Sequence, residues 1–230
     1  MKKFMSLLGL LLIGTLLLSG CSSKDVYSRP EIISSPDQAK ELLIAGNQRF
    51  MSGNILAKDL SSNRRSELSK GQHPFAVIVS CSDSRVPPEE IFDQALGDLF
   101  VVRVAGNVIT PVELGSVEYA VEHLKVPLVL VLGHEKCGAI TAAVEGGKAL
   151  GSISAITEKI MPALKEIKNT EGDKETVIEK TAELNVLNSL QSISQSPVIK
   201  HALGESHKLY GGKYRLETGE IQWPDTSKIF

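Results

Sequence analysis

Cysteine is scarce in this chain, with three in 230 residues. The formal charge is only −2 and no basic run occurs, so electrostatics gives no ground for a nucleic-acid partner. There is no internal repeat and no second domain boundary, which leaves one domain of ordinary size. The apolar run Phe4–Leu18 is too short for a comfortable membrane span. What is present is a globular balance: 42% hydrophobic, 23% charged and 5% aromatic, with nothing fibrous or disordered about it.

The first twenty residues read as an export signal. Lys2 and Lys3 form a basic start, and Phe4–Leu18 has the length of a signal-peptide apolar region. The run ends in Leu18-Ser19-Gly20-Cys21, which resembles a bacterial lipobox. That resemblance implies that Cys21 is lipidated and becomes the mature N-terminus of an exported lipoprotein in the cell envelope, periplasmic or on the outer face of a membrane. An uncleaved anchor, or an ordinary signal peptide with a chance cysteine, is the plainer alternative. Residues 22–35 are polar and irregular, so the expected organisation is signal 1–20, tether 21–35 and domain 36–230. Without residues 1–20 the chain keeps 23 Lys and Arg against 27 Asp and Glu, and is mildly acidic.

Ser35-Pro36-Asp37 combines a capping hydroxyl, a first-turn proline and an acid at the positive end of the dipole, and predicts a helix to about Met51. Residues 54–74 are expected to wrap the surface. Residues 75–80, 99–104 and 127–132 are short β-branched apolar runs without polar alternation, the pattern of strands buried on both faces. A helix over 111–125 carries Val117, Ala120, Val121 and Leu124 on one face. Two more helices are expected over 152–168 and 173–194, and a terminal hairpin about Thr218-Gly219. Gly146-Gly147 and Gly211-Gly212 read as turns. Strands alternating with helices imply an α/β fold: a mostly parallel central sheet flanked by helices, with an N-terminal helical arm.

In such sheets, reactive groups gather beyond the carboxyl ends of the strands. Cys81 follows the first strand within CSDSR, and His134 and Cys137 follow the third within GHEKCG. Two thiolates and an imidazole suit zinc, and three protein ligands leave one position open, as in catalytic sites. Asp83 is the local candidate to close it. Asp83 and Arg85 can pair as carboxylate and guanidinium. Beside an open metal position that pair reads as functional: Arg85 holds Asp83 off the metal, and Asp83 orients water. An ordinary loop salt bridge is the plainer alternative, and so is a Cys81–Cys137 disulfide in an exported protein with no metal at all. His73, His123, His201 and His207 lack ligand spacing and read as surface or capping residues.

C-x-D-S-R followed by H-x-x-C-G resembles the zinc signature of the beta-class carbonic anhydrases. The similarity extends over roughly residues 36–223, including Gly46-Asn47-Gln48-Arg49-Phe50 and Arg103-Val104-Ala105-Gly106-Asn107. It implies one Zn²⁺ per subunit on Cys81, His134 and Cys137, with Asp83 and Arg85 as catalytic dyad. It implies carbon dioxide and bicarbonate as substrate and product, exchanged through a zinc-bound hydroxide, the mechanism for which carbonic anhydrases are the reference case. Two thiolates load the metal with more negative charge than three imidazoles, so Asp83 and Arg85 are expected to help set the working pH. Gln72, Phe100 and Tyr119 match pocket residues of plant-like members, which face the substrate across a dimer interface; this implies a homodimer or higher even oligomer. The Gly106 amide is similarly placed to meet a substrate oxygen. In some members the aspartate equivalent to Asp83 itself ligates zinc. An alternative on the same fold is hydrolysis of carbon disulfide or carbonyl sulfide.

Overall fold

The computed structural model describes residues 26–27, 29, 32–147, 149–167, 172–203 and 209–224. The apolar start, Cys21 and His207 lie outside the described residues. The elements are α1 (Pro36–Ser52), α2 (Ser62–Leu68), β1 (Ala76–Ser80), α3 (Pro88–Ile91), β2 (Leu99–Arg103), α4 (Pro111–Glu122), β3 (Val129–His134), α5 (Gly138–Glu145), α6 (Ile153–Ile167), α7 (Lys174–Ser194), α8 (Pro197–Leu203), β4 (Leu209–Tyr214) and β5 (Ile221–Gln222). They build one sheet of order β2-β1-β3-β4-β5, parallel throughout except for β5. Among the described residues, no helix is long and apolar enough to cross a membrane.

Strands β1 and β3 are buried along their whole length. Alternate residues serve two cores. Val77, Val79, Val129 and Val131 pack with Val117 and Val121 of α4 and Val186 and Leu190 of α7. Ala76, Ile78, Leu130 and Leu132 pack on the other face with Leu43 of α1 and Ile91 of α3. Covering both faces is what a parallel sheet requires, since neither can be left to water.

Helix α1 starts where the sequence placed it: the Ser35 hydroxyl accepts from the Gln38 N–H, and Gly53 closes the helix at φ 70°. The GNQRF segment welds this arm to the domain. Asn47 Nδ2 donates to Gly219 O (2.7 Å) and Ile91 O (3.3 Å), while its Oδ1 accepts from Ile221 N (3.1 Å). Arg49 pairs with the fully buried Asp93 at 2.6 Å.

Residues 54–74 lie largely at the surface, as expected, and α2 forms within them, capped by Ser61. Two expectations need correction. Gly211-Gly212 is no turn: both glycines lie in β4, beside β3. A Cβ at Gly212 would sit 3.2 Å from methyl groups of both Ile221 and Leu132, a tight fit that those side chains would have to yield to. Strand β3 also starts later than read and runs on through His134, so that ligand sits on the strand end rather than after it.

Candidate metal centre

Cys81, His134 and Cys137 converge at the carboxyl ends of β1 and β3, and their three ligand atoms lie within 4.8 Å of one another. All three residues are buried. Cys81 and Cys137 are free, with Sγ atoms 4.0 Å apart, about twice a disulfide bond length. His134 Nδ1 lies 2.8 Å from Glu135 O. Donation of Nδ1–H to that carbonyl leaves Nε2 as the lone-pair nitrogen, aimed inward, and Nε2 is buried with no hydrogen-bond partner. An orphaned imidazole nitrogen facing two sulfurs fits a metal ion; packing alone gives it no partner.

The electrostatics favour the same reading. Cys81 is held far below the ordinary thiol pKa, chiefly by its hydrogen bond with Cys137 and further by His134 and by backbone donors. Those donors are Gly106 N–H at 3.3 Å and Asp83 N–H at 3.4 Å. Cys137, bonded to that same sulfur and buried, is pushed upward. The pair thus favours a single negative charge centred on Cys81, and a divalent cation would favour loss of the second proton.

Asp83 stands beside the three ligands and is clamped by Arg85. Arg85 Nε donates to Oδ1 at 2.9 Å and Nη2 to Oδ2 at 2.7 Å, and the Arg85 backbone N–H adds 2.9 Å to Oδ1. This fork holds the Asp83 carboxyl well below the usual carboxylate range. Its Oδ2 still stands only 3.9 Å from His134 Nε2, so the carboxylate borders the open side without occupying it.

Several residues support the centre in roles that the sequence reading did not assign. Arg103, at the end of β2, donates from Nε to Cys81 O (3.0 Å) and from Nη2 to Asp83 O (2.6 Å), fixing the CSDSR loop. Gly106 adopts φ 73°, and its carbonyl accepts from Asn185 Nδ2 at 2.7 Å; Ser189 Oγ donates to Asn107 O at 2.9 Å. Both come from α7. Glu179, also on α7, accepts the Lys136 N–H at 3.0 Å, next to the ligand Cys137. The signals in the sequence were Arg103 and Gly106 within the Arg103–Asn107 stretch, and Asn185 and Ser189 four apart on α7.

Not every expected residue meets the ligands. Gly106 N–H is directed at Cys81 Sγ. Phe100 is paired with Val77, four residues before Cys81, which is roughly 13 Å along the strand. Tyr119, on α4, is 6.2 Å ring to ring from Phe100 and half-exposed, and Gln72 is exposed ahead of β1. These three stand toward the opposite end of the sheet from the centre of their own chain. His73, His123 and His201 are exposed, as expected.

A parallel α/β sheet carrying a buried Cys-His-Cys donor set at its strand ends, with one side open, defines a metal-dependent enzyme of the zinc type. Known proteins agree. Residues 76–221 match the family model described as carbonic anhydrase. A carbonic anhydrase of Mycolicibacterium smegmatis is 47% identical over 135 residues, 57% of this chain and 66% of that protein. One from Synechocystis is 34% identical over 199 residues, 78% of this chain and 69% of that protein. The beta-carbonic anhydrase CafA of Aspergillus fumigatus superposes with a TM-score of 0.65 at 31% identity, covering 72% of this chain and 84% of that one. The matched stretch spans just under two thirds of the mycobacterial relatives, 66% and 65%. The chain belongs to the beta-class carbonic anhydrase family. That family uses zinc, and Cys81, His134 and Cys137 form the group here that can bind it.

Proposed function

We propose that this chain catalyses the reversible hydration of carbon dioxide to bicarbonate and a proton, with one zinc ion per subunit on Cys81, His134 and Cys137. The observation that carries the reading is the open fourth side: Asp83, the nearest further ligand, is held off by a two-pronged bond to Arg85. Bound there, the ion would supply a water acidified to near neutrality, the chemistry for which carbonic anhydrases are the standard example. The protein residues do the rest. Cys81 and Cys137 contribute charge and His134 a neutral nitrogen, oriented by its Nδ1–H bond to Glu135 O. Asp83, ionised throughout the working range, accepts a hydrogen bond at the open side and turns a water lone pair toward the substrate. Arg85 prevents Asp83 from closing the site, and Arg103 fixes the loop that carries both.

We further propose that the chain is exported and that Cys21 carries a lipid holding the domain in the cell envelope, a reading supported by the basic start, the apolar run and the Leu-Ser-Gly-Cys junction. A dimer, or an even multiple of it, would bring Gln72, Phe100 and Tyr119 of one subunit toward the centre of its partner.

Stopped-flow hydration assays on the purified mature protein test the activity, with carbon disulfide and carbonyl sulfide run beside carbon dioxide. Turnover of carbon dioxide together with one bound zinc and two titratable thiols is the expected result. Absence of zinc with both cysteines oxidised would sink it.

A further inference from the structure

The turn that carries Cys137 is held partly from outside the metal centre, by charges on β4 and α7. After His134 the chain doubles back so that Cys137 Sγ comes to 4.0 Å from Cys81 Sγ. Lys136 makes that reversal in the left-handed region, at φ 51°, which a residue with a side chain adopts only when its surroundings enforce it. Its neighbours do so. The Glu135 N–H donates to Tyr214 O at 3.1 Å, and Arg85 Nη2 donates to Lys136 O at 3.4 Å. The Lys136 N–H donates to Glu179 Oε1 at 3.0 Å. This last contact leads away from the centre, because the other oxygen of Glu179 meets Lys213 Nζ at 2.6 Å.

Lys213 lies on β4 opposite Gly133, the residue before His134, and its side chain is only 11% exposed. Gly133 lets α7 close down on this part of the sheet, since a Cβ there would fall 2.6 Å from a Val186 methyl. The ammonium is enclosed between strand and helix, where it bridges Glu179 and Glu183 at 2.6 Å and 3.0 Å. Those carboxylates are one helical turn apart on α7 and repel each other without a cation between them. A charge held at this depth adds little net stability, because its desolvation offsets much of the attraction. Position is what it supplies. With Lys213 in place, Glu179 commits one oxygen to the ammonium and the other to the Lys136 amide. Glu179 is 25% exposed, so a carboxylate released from Lys213 can turn to water and drop the amide.

We infer that Lys213 is a positioning residue for the metal centre: acting through Glu179, it shapes the 135–137 turn and so presents Cys137 to the ion. This rests on the zinc reading above and concerns metal retention, with turnover affected only through it.

The test measures the zinc affinity of the full chain, purified in detergent, by competition with a chromophoric chelator. Urea unfolding of the metal-free protein runs beside it. Lys213→Met, similar in length but uncharged, should weaken zinc binding roughly tenfold while the metal-free midpoint changes little. Glu179→Ala should give the same loss, and the double variant no more than either, because both break one chain of contacts. Lys213→Arg should restore most of the affinity. Glu183→Gln is the control: Glu183 pairs with Lys213 and not with the Lys136 amide, so affinity should be unchanged. Parental affinity in Lys213→Met, losses that add in the double variant, or a loss accounted for by a lower metal-free midpoint each overturns the positioning role. A parent chain that binds no zinc overturns the zinc reading itself, and this inference with it.

Discussion

At the scale of single residues, function turns on where one carboxylate points. Arg85 holds the pKa of Asp83 down by direct hydrogen bonding, so the folded value lies below the unfolded one. A depressed carboxyl contributes stability that is complete above its unfolded pKa near ~4, and that is lost only as pH falls below it. Across the neutral range the Asp83–Arg85 pair is therefore constant, and a rate that varies there reports another ionising group. Asp83→Asn removes a negative charge beside that group and unbalances Arg85, and both changes favour its ionised form. The rising limb of the pH–rate profile should move down by about one unit; an unchanged profile in stopped-flow assays would show that Asp83 does not set the working pH. Arg85→Ala releases the carboxylate toward the open side, 3.9 Å from His134 Nε2. Activity should fall roughly 10–100-fold while metal analysis still finds one zinc, because all three ligands remain. Lost zinc would place Arg85 in metal retention instead.

Among the elements, α7 makes contributions out of proportion to its distance in sequence from the ligands. Asn185 satisfies the carbonyl of Gly106, whose amide bonds Cys81 Sγ, so the helix steers a ligand through one peptide unit. Asn185→Ala leaves that buried carbonyl unpaired, at a cost of about 1–3 kcal/mol measurable by urea unfolding, and loosens Cys81 enough to weaken zinc binding. A change in stability with zinc affinity intact would reduce Asn185 to a structural role. Gly46→Ala tests α1 in the same way: the added Cβ would fall 1.7 Å from Phe92 O, so the arm must lift or the helix shift. A loss of roughly 1–3 kcal/mol or more is expected from such overpacking. Much of this was legible beforehand. The β-branched runs announced β1, β2 and β3, and the two local motifs named all three ligands, because each motif sits in one turn at a strand end. β4 was hidden because its middle is Gly211-Gly212, and glycine has low strand propensity and a turn-like signature. The roles of Arg103, Asn185 and Glu179 were hidden for another reason: they act through backbone groups 20 to 79 residues away, and no local pattern records such a contact.

For the molecule as a whole, the decisive feature is the edge of β2, which pairs with no further strand among the described residues. β2 ends the sheet and is only partly buried, and beside it α4 exposes Tyr119 at 48% and Val112 at 76%. An unpaired parallel edge next to exposed apolar groups is a liability unless another chain covers it. Phe100 and Tyr119 lie on this edge, far from their own metal centre, which makes sense if they complete a neighbouring one. The proposed dimer thus predicts that assembly and turnover fail together. Phe100→Lys places a charge in the middle of the contact, where charged residues are normally depleted. Light scattering should show monomers, and hydration should drop by about tenfold or more in kcat/KM, with zinc content and the unfolding midpoint of the separated chain little changed. Full activity in a proven monomer would mean that each chain builds its substrate pocket alone, and Gln72, Phe100 and Tyr119 would then be surface residues with no part in the reaction.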